Sequence, residues 1–319
     1  MKELEFLKII NNTLDDNSYL GDDCAYLQDL GIYITHDTLV EDVHFTLYTT
    51  NAYNLGRKAI SVNLSDLATA LAEPKYVTVS LSMPKITKNS FIEDLYKGIN
   101  DICNEYGIKV IGGDITGSEK IVISVCAIGK RETKYLSSRR NAKKDDYVLV
   151  TGELGSSSVG FHALSNFLYA DNELIEHHIN PTPRIKEAQK LAKIIDKDIT
   201  IMDCSDGLVD ALYKISKESM HTIKIDMNSV PVNPKVKEFC KQNNLEYKHF
   251  AKWGGEDFEL LICVPEEIYN ELDKEYFTLI GTVQNKDNNP CVLIKDSENT
   301  EKITKDIFEK QSFNHFNCK

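Results

Sequence analysis

The order of strand and helix signals constrains the fold of this 319-residue chain more than any other feature. Strand-like and helix-like runs alternate between residues 32 and 128, and the alternation restarts at residue 147. Between Gly129 and Asp146 the apolar periodicity stops, and the segment becomes polar and mostly basic. Because the chain exceeds the usual size of a single core, we expect two domains and an exposed connection between them.

The predicted domains comprise residues 1–137 and 138–319. Strand lengths and mixed connections favour an α+β fold with two α/β domains over one doubly wound sheet. In the first domain, helices are predicted at 2–12, 51–72 and 90–106, and strands at 32–36, 76–82, 108–111 and 121–128. In the second domain, strands are predicted at 147–151, 199–202, 222–227, 258–264 and 277–284, with helices after Ser158, at 184–195 and after Gly207.

Short clusters of acidic residues and glycine recur beside these elements from one end of the chain to the other. Carboxylate oxygens are the ligands that hard divalent cations prefer, so such clusters suggest several cations held around a polyphosphate. Taken singly, each cluster also fits a helix cap, a turn or an exposed helical carboxylate. The clusters are Gly21–Asp23, His36–Asp37, Ser65–Asp66, Gly113–Asp114, Asp203–Gly207 and Gly255–Asp257.

Composition excludes several classes of protein. A formal net charge of −12 and no large basic stripe argue against a nucleic-acid-binding surface, and a bound polyphosphate would need metal ions to neutralise it. The eight cysteines contain no CxxC pair, so neither a zinc finger nor a compact disulfide framework is expected. No apolar run approaches 18 residues and the N-terminus does not resemble a signal peptide, so we expect a cytoplasmic protein without a membrane span.

The remaining motifs point away from other known sites. The glycine-rich stretch at 151–160 has neither the Rossmann nor the P-loop spacing, and a helix start with a serine cap explains it better than an anion site. The adjacent His177 and His178 cannot share a helix face, and no HExxH motif is present, so a catalytic zinc is not expected. Among the histidines, His44 is predicted to contact a ligand.

Six motifs taken together resemble the thiamine-monophosphate kinase family. They are GDDCA at 21–25, HDTLVEDVHF at 36–45, VNLSDLA at 62–68, IGGD at 111–114, DCSDGL at 203–208 and GGEDFEL at 254–260. This family belongs to a superfamily of ATP-using enzymes that includes aminoimidazole ribonucleotide synthetase and selenophosphate synthetase. The resemblance extends from about residue 20 to residue 315.

The resemblance implies a reaction and an assembly. The reaction is direct in-line transfer of a phosphoryl group from ATP to thiamine monophosphate, giving thiamine diphosphate, with Mg²⁺ essential. The assembly is a homodimer whose N-terminal domains form a shared sheet or barrel, with each active site between an N-terminal and a C-terminal domain. In-line transfer depends on positioning and charge neutralisation more than on a protein nucleophile, which suits a site rich in carboxylates.

The resemblance also implies roles for single residues, with Asp114 and Asp206 as the carboxylates most critical for catalysis. The Mg²⁺ ligands would be Asp23, Thr35, His36, Asp37, Asp66, Asp114, Asp203 and Asp206. The nucleotide contacts would be Gly113, Asp114, Arg139, Ser205 and Tyr96. The thiamine monophosphate contacts would be His44, Glu256 and Phe313.

The chain departs from the family pattern at a few positions. His36 replaces a small hydroxyl residue, and imidazole suits softer metals than Mg²⁺. Asp42, Leu71, Asn141 and Asp145 stand at customary glycines, and Asp and Asn tolerate positive φ better than other residues do. Two alternatives stay open: a related ATP-dependent enzyme with another acceptor, and a non-catalytic acidic protein that binds nucleotide or metal.

Overall fold

The structure, a computed structural model, describes residues 3–313 and contains two β-sheets flanked by helices. The first part of the chain forms α1 (Glu3–Thr13), β1 (Ala25–Leu27), β2 (Ile32–Val40), α2 (Ala52–Thr69), β3 (Ala72–Met83), α3 (Asn89–Tyr106), β4 (Lys109–Gly117) and β5 (Val122–Arg131). The second part forms β6 (Tyr147–Thr151), α4 (Ser156–Ser165), α5 (Asn172–Ile179), α6 (Ile185–Ile194), β7 (Thr200–Asp203), α7 (Leu208–Ser219), β8 (His221–Asp226), α8 (Pro234–Gln242), α9 (Tyr247–Trp253), β9 (Leu260–Val264), α10 (Glu266–Glu271), β10 (Phe277–Lys286), β11 (Val292–Asp296), β12 (Asn299–Ile303) and α11 (Lys305–Gln311).

Each part of the chain contributes one mixed sheet. The first sheet has the order β1-β2-β5-β3-β4, in which only β3 and β4 run parallel. The second sheet has the order β12-β11-β8-β10-β6-β9-β7, in which β11 and β8 run parallel. The predicted α+β class is confirmed, and the division at residue 137 stays a prediction.

Helix α2 lies between the two sheets and positions the site. It contacts β2 and β5 of the first sheet and β7 of the second. One hydrophobic core therefore includes Val125 of β5, Leu64 of α2 and Ile201 of β7, all almost fully buried. A second core lies within the second part of the chain, around Val148 and Leu212. Polar side chains on α2 consequently face the junction of both sheets.

Two glycines let α2 and α3 cross at close range. A Cβ atom on Gly56 would lie 2.1 Å from the Leu95 carbonyl oxygen, and one on Gly98 would lie 1.9 Å from the Tyr53 carbonyl oxygen. Real Cβ atoms do not approach backbone oxygens so closely, so both helices depend on the missing side chains. Asn51 caps the N-terminus of α2, because its side chain accepts a hydrogen bond from the Asn54 amide at 2.9 Å.

Replacing Gly98 by alanine is expected to lower the free energy of unfolding by about 1 kcal/mol. Overpacking costs about 1–3 kcal/mol, which exceeds the gain of up to ~1 kcal/mol that alanine has over glycine in a helix. Urea unfolding measures the change, with Asn104→Ala on the exposed face of α3 as the control. An unchanged midpoint for Gly98→Ala would show that the two helices can separate at no cost.

Three details of the predicted elements are corrected by the structure. Asp37 lies inside β2, whereas a position at the end of that strand was expected. Residues 112–114 continue β4 instead of forming a turn, because pairing with β3 satisfies the backbone through Gly117. The connection between the sheets begins only after Arg131 and includes a 3₁₀ turn at Arg139–Asn141. Within residues 3–313 no helix is both long and apolar enough to cross a membrane.

Candidate active site

Three carboxylates from distant parts of the sequence meet where α2 faces the end of β7. Asp23 precedes β1, Asp66 lies on α2, and Asp203 ends β7. One oxygen of each lies within 4.8 Å of the others. We call these three residues the carboxylate cluster. All three belong to the predicted Mg²⁺ ligands.

Neighbouring hydroxyl groups fix the orientation of the carboxylate cluster. Ser65 Oγ donates a hydrogen bond to Asp203 Oδ2 at 2.6 Å, and the Thr35 hydroxyl donates one to Asp66 Oδ2. Asp203 is 1% exposed, and its Oδ1 has no hydrogen-bond partner in the described part of the chain. A buried carboxylate oxygen without a donor is costly in free energy, and a bound cation relieves that cost.

Burial and mutual repulsion disfavour ionisation of the carboxylate cluster. Burial raises the pKa of Asp66 well above its usual range, and the charges of Asp37, Asp203 and Asp23 raise it further. The pKa of Asp203 is also raised, first by burial and then by the charge of Asp23. Hard oxygen ligands that repel one another in a buried site fit a divalent cation such as Mg²⁺.

Magnesium ions are expected to raise the thermal unfolding midpoint more at about pH 8 than at about pH 6. The folded-state pKa values of Asp66 and Asp203 lie above their unfolded values, so the folded chain binds more protons across that interval. Without a cation, the contribution of these groups to stability therefore falls as pH rises through the interval. Mg²⁺ binds the deprotonated forms, so its effect grows over the same interval. Thermal unfolding with and without MgCl₂ measures this, and a larger shift at the lower pH would contradict it.

Arg139 provides a positive charge beside the carboxylate cluster. Its Nη2 forms an ion pair with Asp23, and its backbone amide donates to Asp22 Oδ1 at 2.9 Å. The Nε atom of Arg139 is buried and has no hydrogen-bond partner within residues 3–313. A cavity of about 310 Å³ is lined by the chain neighbours of this pair, Asp22, Cys24, Ser138 and Arg140, and not by Arg139 or Asp23. The predicted nucleotide contact Arg139 therefore has an unused donor next to the carboxylate cluster.

The loop after β7 connects the carboxylate cluster to Glu256. The Ser205 carbonyl oxygen accepts a hydrogen bond from the Glu256 amide at 2.6 Å. Asp206, the other predicted ligand in this loop, lies outside the carboxylate cluster and is 3.2 Å from Lys214 Nζ. The same ammonium group lies 2.6 Å from the buried Asp210. Lys214 is therefore shared between Asp206 and Asp210 and offsets the charge of Asp206 only in part.

Glu256 and Asp257 have different functions although they are neighbours. Asp257 accepts hydrogen bonds from the Gly155 amide at 2.6 Å and the Ser157 amide at 2.9 Å, so it caps the start of α4. The amides at the start of α4, in the glycine-rich stretch at 151–160, therefore bind the Asp257 carboxylate. Glu256 instead contacts Lys58 and His178, and these two groups hold its pKa well below the usual range although burial opposes them.

Asp114 and Gly113 lie away from the carboxylate cluster within one chain. Three strand spacings separate β4 from β2 in the sheet order, so Asp114 lies roughly 14 Å from the strand that carries Asp37. Asp114 is paired with Ser80, and Ser80 with Ser124, on the sheet face opposite α2. A Cβ on Gly113 would lie 1.8 Å from the Val79 carbonyl oxygen, so close strand pairing requires a glycine there.

His36 also lies on the sheet face opposite α2. Side chains alternate along β2, so Thr35 and Asp37 face α2 while the exposed His36 faces away. A metal contact from His36 to the carboxylate cluster would have to come from its backbone carbonyl. Its predicted role as a ligand stays a prediction.

The last three predicted contacts lie on other elements. Tyr96 on α3 lines a separate surface cavity together with Tyr53 and Asp101. His44 Nδ1 accepts a hydrogen bond from the Val40 amide at 3.0 Å, which closes the turn after β2. Phe313 follows α11 and is 48% exposed. None of these placements tests the predicted roles.

Sequence reasoning missed four side chains that support the site. Ser65 lies inside the quoted motif at 62–68, but its hydrogen bond to Asp203 joins residues far apart in sequence. Lys58 was detectable as a lysine within the apolar stretch of α2. His178 and Lys214 carry no signal in the sequence, because only folding brings them to Glu256 and Asp206.

Comparison with known proteins gives consistent matches. A family model described as AIR synthase related protein, N-terminal domain, matches residues 21–130. The chain is 34% identical over 313 residues to a thiamine-monophosphate kinase of Bacillus subtilis (strain 168), covering 93% of both chains. It is 34% identical over 290 residues to one of Aquifex aeolicus (strain VF5), covering 88% of this chain and 91% of the relative.

A solved structure described as AaThiL complexed with AMPPCP and TMP agrees with these relatives. It superposes with a TM-score of 0.84 at 32% identity, covering 94% of this chain and 96% of the other. This chain and the solved structure thus share more than 30% of their residues over most of their lengths, and they have the same fold. The chain belongs to the thiamine-monophosphate kinase family.

Proposed function

We propose that this protein transfers the γ-phosphoryl group of ATP to thiamine monophosphate in one in-line step that requires Mg²⁺. The observation that carries the proposal is the carboxylate cluster, in which segments of both sheets place three carboxylates within 4.8 Å of one another. A solved relative complexed with AMPPCP and TMP supports the choice of nucleotide and acceptor. Within residues 3–313 the only group of at least three candidate metal ligands found is the carboxylate cluster, and it contains oxygen donors alone.

The roles of the residues follow from their positions. Asp23, Asp66 and Asp203 would hold Mg²⁺, with the hydroxyl groups of Thr35 and Ser65 orienting two of them. Bound Mg²⁺ supplies positive charge that offsets the charge developing on the transferred phosphoryl group. Direct transfer needs no protein nucleophile, and the acceptor phosphate, already largely ionised at neutral pH, needs no general base.

Arg139 and Glu256 would position the two substrates. Arg139 has a buried, unused donor beside the carboxylate cluster, and a guanidinium binds phosphate oxygens in a bidentate manner. Glu256 is joined to the loop after β7 through the Ser205 carbonyl oxygen. An acceptor bound at Glu256 would therefore lie next to the loop that follows Asp203.

A homodimer built on the first sheet accounts for the position of Asp114. Strand β4 lies at the edge of the first sheet, and every one of its residues is exposed. Its exposed residues include two apolar ones, Ile111 at 55% and Ile115 at 64%. Such an edge is a template for pairing with a second chain. In a shared barrel, β4 of one protomer would pair with the part of its partner's β2 that β1 leaves unpaired, residues 35–40, and bring Asp114 close to the strand that carries Asp37.

The test of the function is an assay with purified protein, ATP, MgCl₂ and thiamine monophosphate, scored for thiamine diphosphate. Formation of thiamine diphosphate that stops when Mg²⁺ is chelated is the expected result. Turnover of ATP with another acceptor only would instead indicate a related ATP-dependent enzyme. Mg²⁺-dependent ATP binding without any turnover would indicate a nucleotide-binding protein.

A further inference from the structure

A buried lysine on α2 holds one side of the Glu256 carboxylate. Lys58 is 2% exposed and is surrounded on α2 by apolar residues such as Leu55 and Ala59. Its Nζ lies 2.8 Å from Glu256 Oε1. The Glu256 side chain remains 30% exposed, so it is not sealed from solvent.

A histidine from α5 holds the other side of the same carboxylate. His178 Nδ1 lies 3.1 Å from Glu256 Oε2 and 3.3 Å from Ser157 Oγ, and the ring is buried. Burial lowers the pKa of His178, and the charge of Lys58 lowers it further, so the neutral ring donates from Nδ1. The half-exposed Phe161 ring lies 5.0 Å from the His178 ring, measured between centroids.

These two contacts leave part of the Glu256 carboxylate available. Each carboxylate oxygen accepts about two hydrogen bonds, and Lys58 and His178 use one on each oxygen. Lys58 and His178 are the two side chains that lower the pKa of Glu256 most, whereas the neighbouring Asp257 accepts hydrogen bonds from the amides at the start of α4. Glu256 is therefore fixed in orientation, kept ionised and still able to bind a donor or a cation.

Stability alone is a poor explanation for this arrangement. Desolvating an ammonium and a carboxylate costs free energy, and apolar residues of similar volume often replace a buried ion pair without loss of stability. Breaking the pair on one side is what destabilises a protein, because it leaves a single buried charge. An ionised, partly exposed Glu256 side chain, with the half-exposed Phe161 ring next to its partner His178, suits a ligand that carries a positive charge on a ring.

We propose that Lys58 and His178 are positioning residues that hold Glu256 as a fixed carboxylate for the cationic heterocycle of the phosphate acceptor. This inference rests on the proposed function, since it assigns the thiamine end of thiamine monophosphate to Glu256. The contact would be remote from the phosphoryl group that reacts. It would therefore contribute to binding of the acceptor more than to the chemical step.

The first test is steady-state kinetics of Lys58→Met. We expect KM for thiamine monophosphate to rise at least about tenfold, while kcat and KM for ATP change by no more than about twofold. The matched control is Lys235→Met, which removes an ion pair with Asp171 and Glu173 on the surface of α8. An unchanged acceptor KM in folded Lys58→Met would overturn the inference.

The second test separates positioning from a purely structural ion pair. Without Lys58, burial raises the pKa of Glu256 against His178 alone, so the acceptor KM of Lys58→Met, relative to wild type, should fall as pH rises. Glu256→Gln has no charge to recover and should show a raised KM at every pH. The double variant Lys58→Met/Glu256→Gln should regain thermal stability but keep the raised KM.

Each alternative gives a different result in these tests. If the pair serves stability only, the double variant regains both its unfolding midpoint and its acceptor KM. If Lys58→Met does not fold, His178→Asn supplies the same comparison from α5, with the same rise in KM expected. Absence of thiamine diphosphate formation by the wild type refutes the proposed function, whereas wild-type turnover with unaffected variants refutes only the positioning role.

Discussion

Replacing Asp203 by asparagine is expected to slow thiamine diphosphate formation by roughly 10²–10³-fold while the magnesium-free protein keeps or gains stability. Asparagine has the same shape and can still accept the hydrogen bond from Ser65 Oγ. It removes one buried charge, and with it the repulsion from Asp23 and Asp66. Loss of a ligand and gain of stability are thus expected from one substitution.

Kinetics at several MgCl₂ concentrations and thermal unfolding without metal measure both effects. The matched control is Asp29→Asn, which changes an exposed carboxylate in the turn between β1 and β2 and should leave both quantities unchanged. Turnover of Asp203→Asn close to wild type at saturating Mg²⁺ would exclude Asp203 as a ligand. A lower unfolding midpoint without metal would contradict the repulsion inferred within the carboxylate cluster.

Mixed dimers of Asp114→Asn and Asp203→Asn protomers are expected to regain activity that neither variant has alone. If a site combines Asp203 of one protomer with Asp114 of its partner, one of the two sites in a mixed dimer contains both native residues. Such dimers should have about half the wild-type rate, since their other site carries both substitutions. If Asp114 acts within its own protomer, both sites of the mixed dimer stay defective.

Co-expression of the two variants with different affinity tags, followed by two purification steps, yields the mixed dimer for this assay. Each variant purified alone is the reference for residual activity. Mixed dimers no more active than these references would overturn the shared site. A protein that remains monomeric during sedimentation would overturn the dimer itself.

Much of the fold follows from local sequence signals. The helix at 90–106 and the strand at 147–151 were predicted almost to the residue, because apolar periodicity and flanking turns are local properties. Asp42, Leu71 and Asp145, which replace customary glycines, do have positive φ values of 65°, 55° and 71°. Asn141 instead lies in the 3₁₀ turn.

Prediction was weaker where structure depends on pairing between distant segments. The glycines at 112 and 113 suggested a turn, but the ladder with β3 keeps them in β4. Strands β11 and β12 were missed, because their signals are short and their stability comes from pairing in the second sheet. The same limit applies to Lys58, whose partner Glu256 lies far along the chain.

By itself the sequence determined the type of chemistry: dispersed carboxylates beside turns, an acidic net charge and six ordered motifs indicated a cation-dependent kinase of this family. Only the tertiary structure decided which carboxylates act together, because α2 brings Asp66 between the two sheets, where Asp23 and Asp203 converge. It also separated His36 and Asp114 from the carboxylate cluster, since strand alternation and sheet order place them on the opposite face. The sequence shows which carboxylates are present. The distances between them and their burial, which determine their ionisation and their geometry as ligands, arise only when the chain folds.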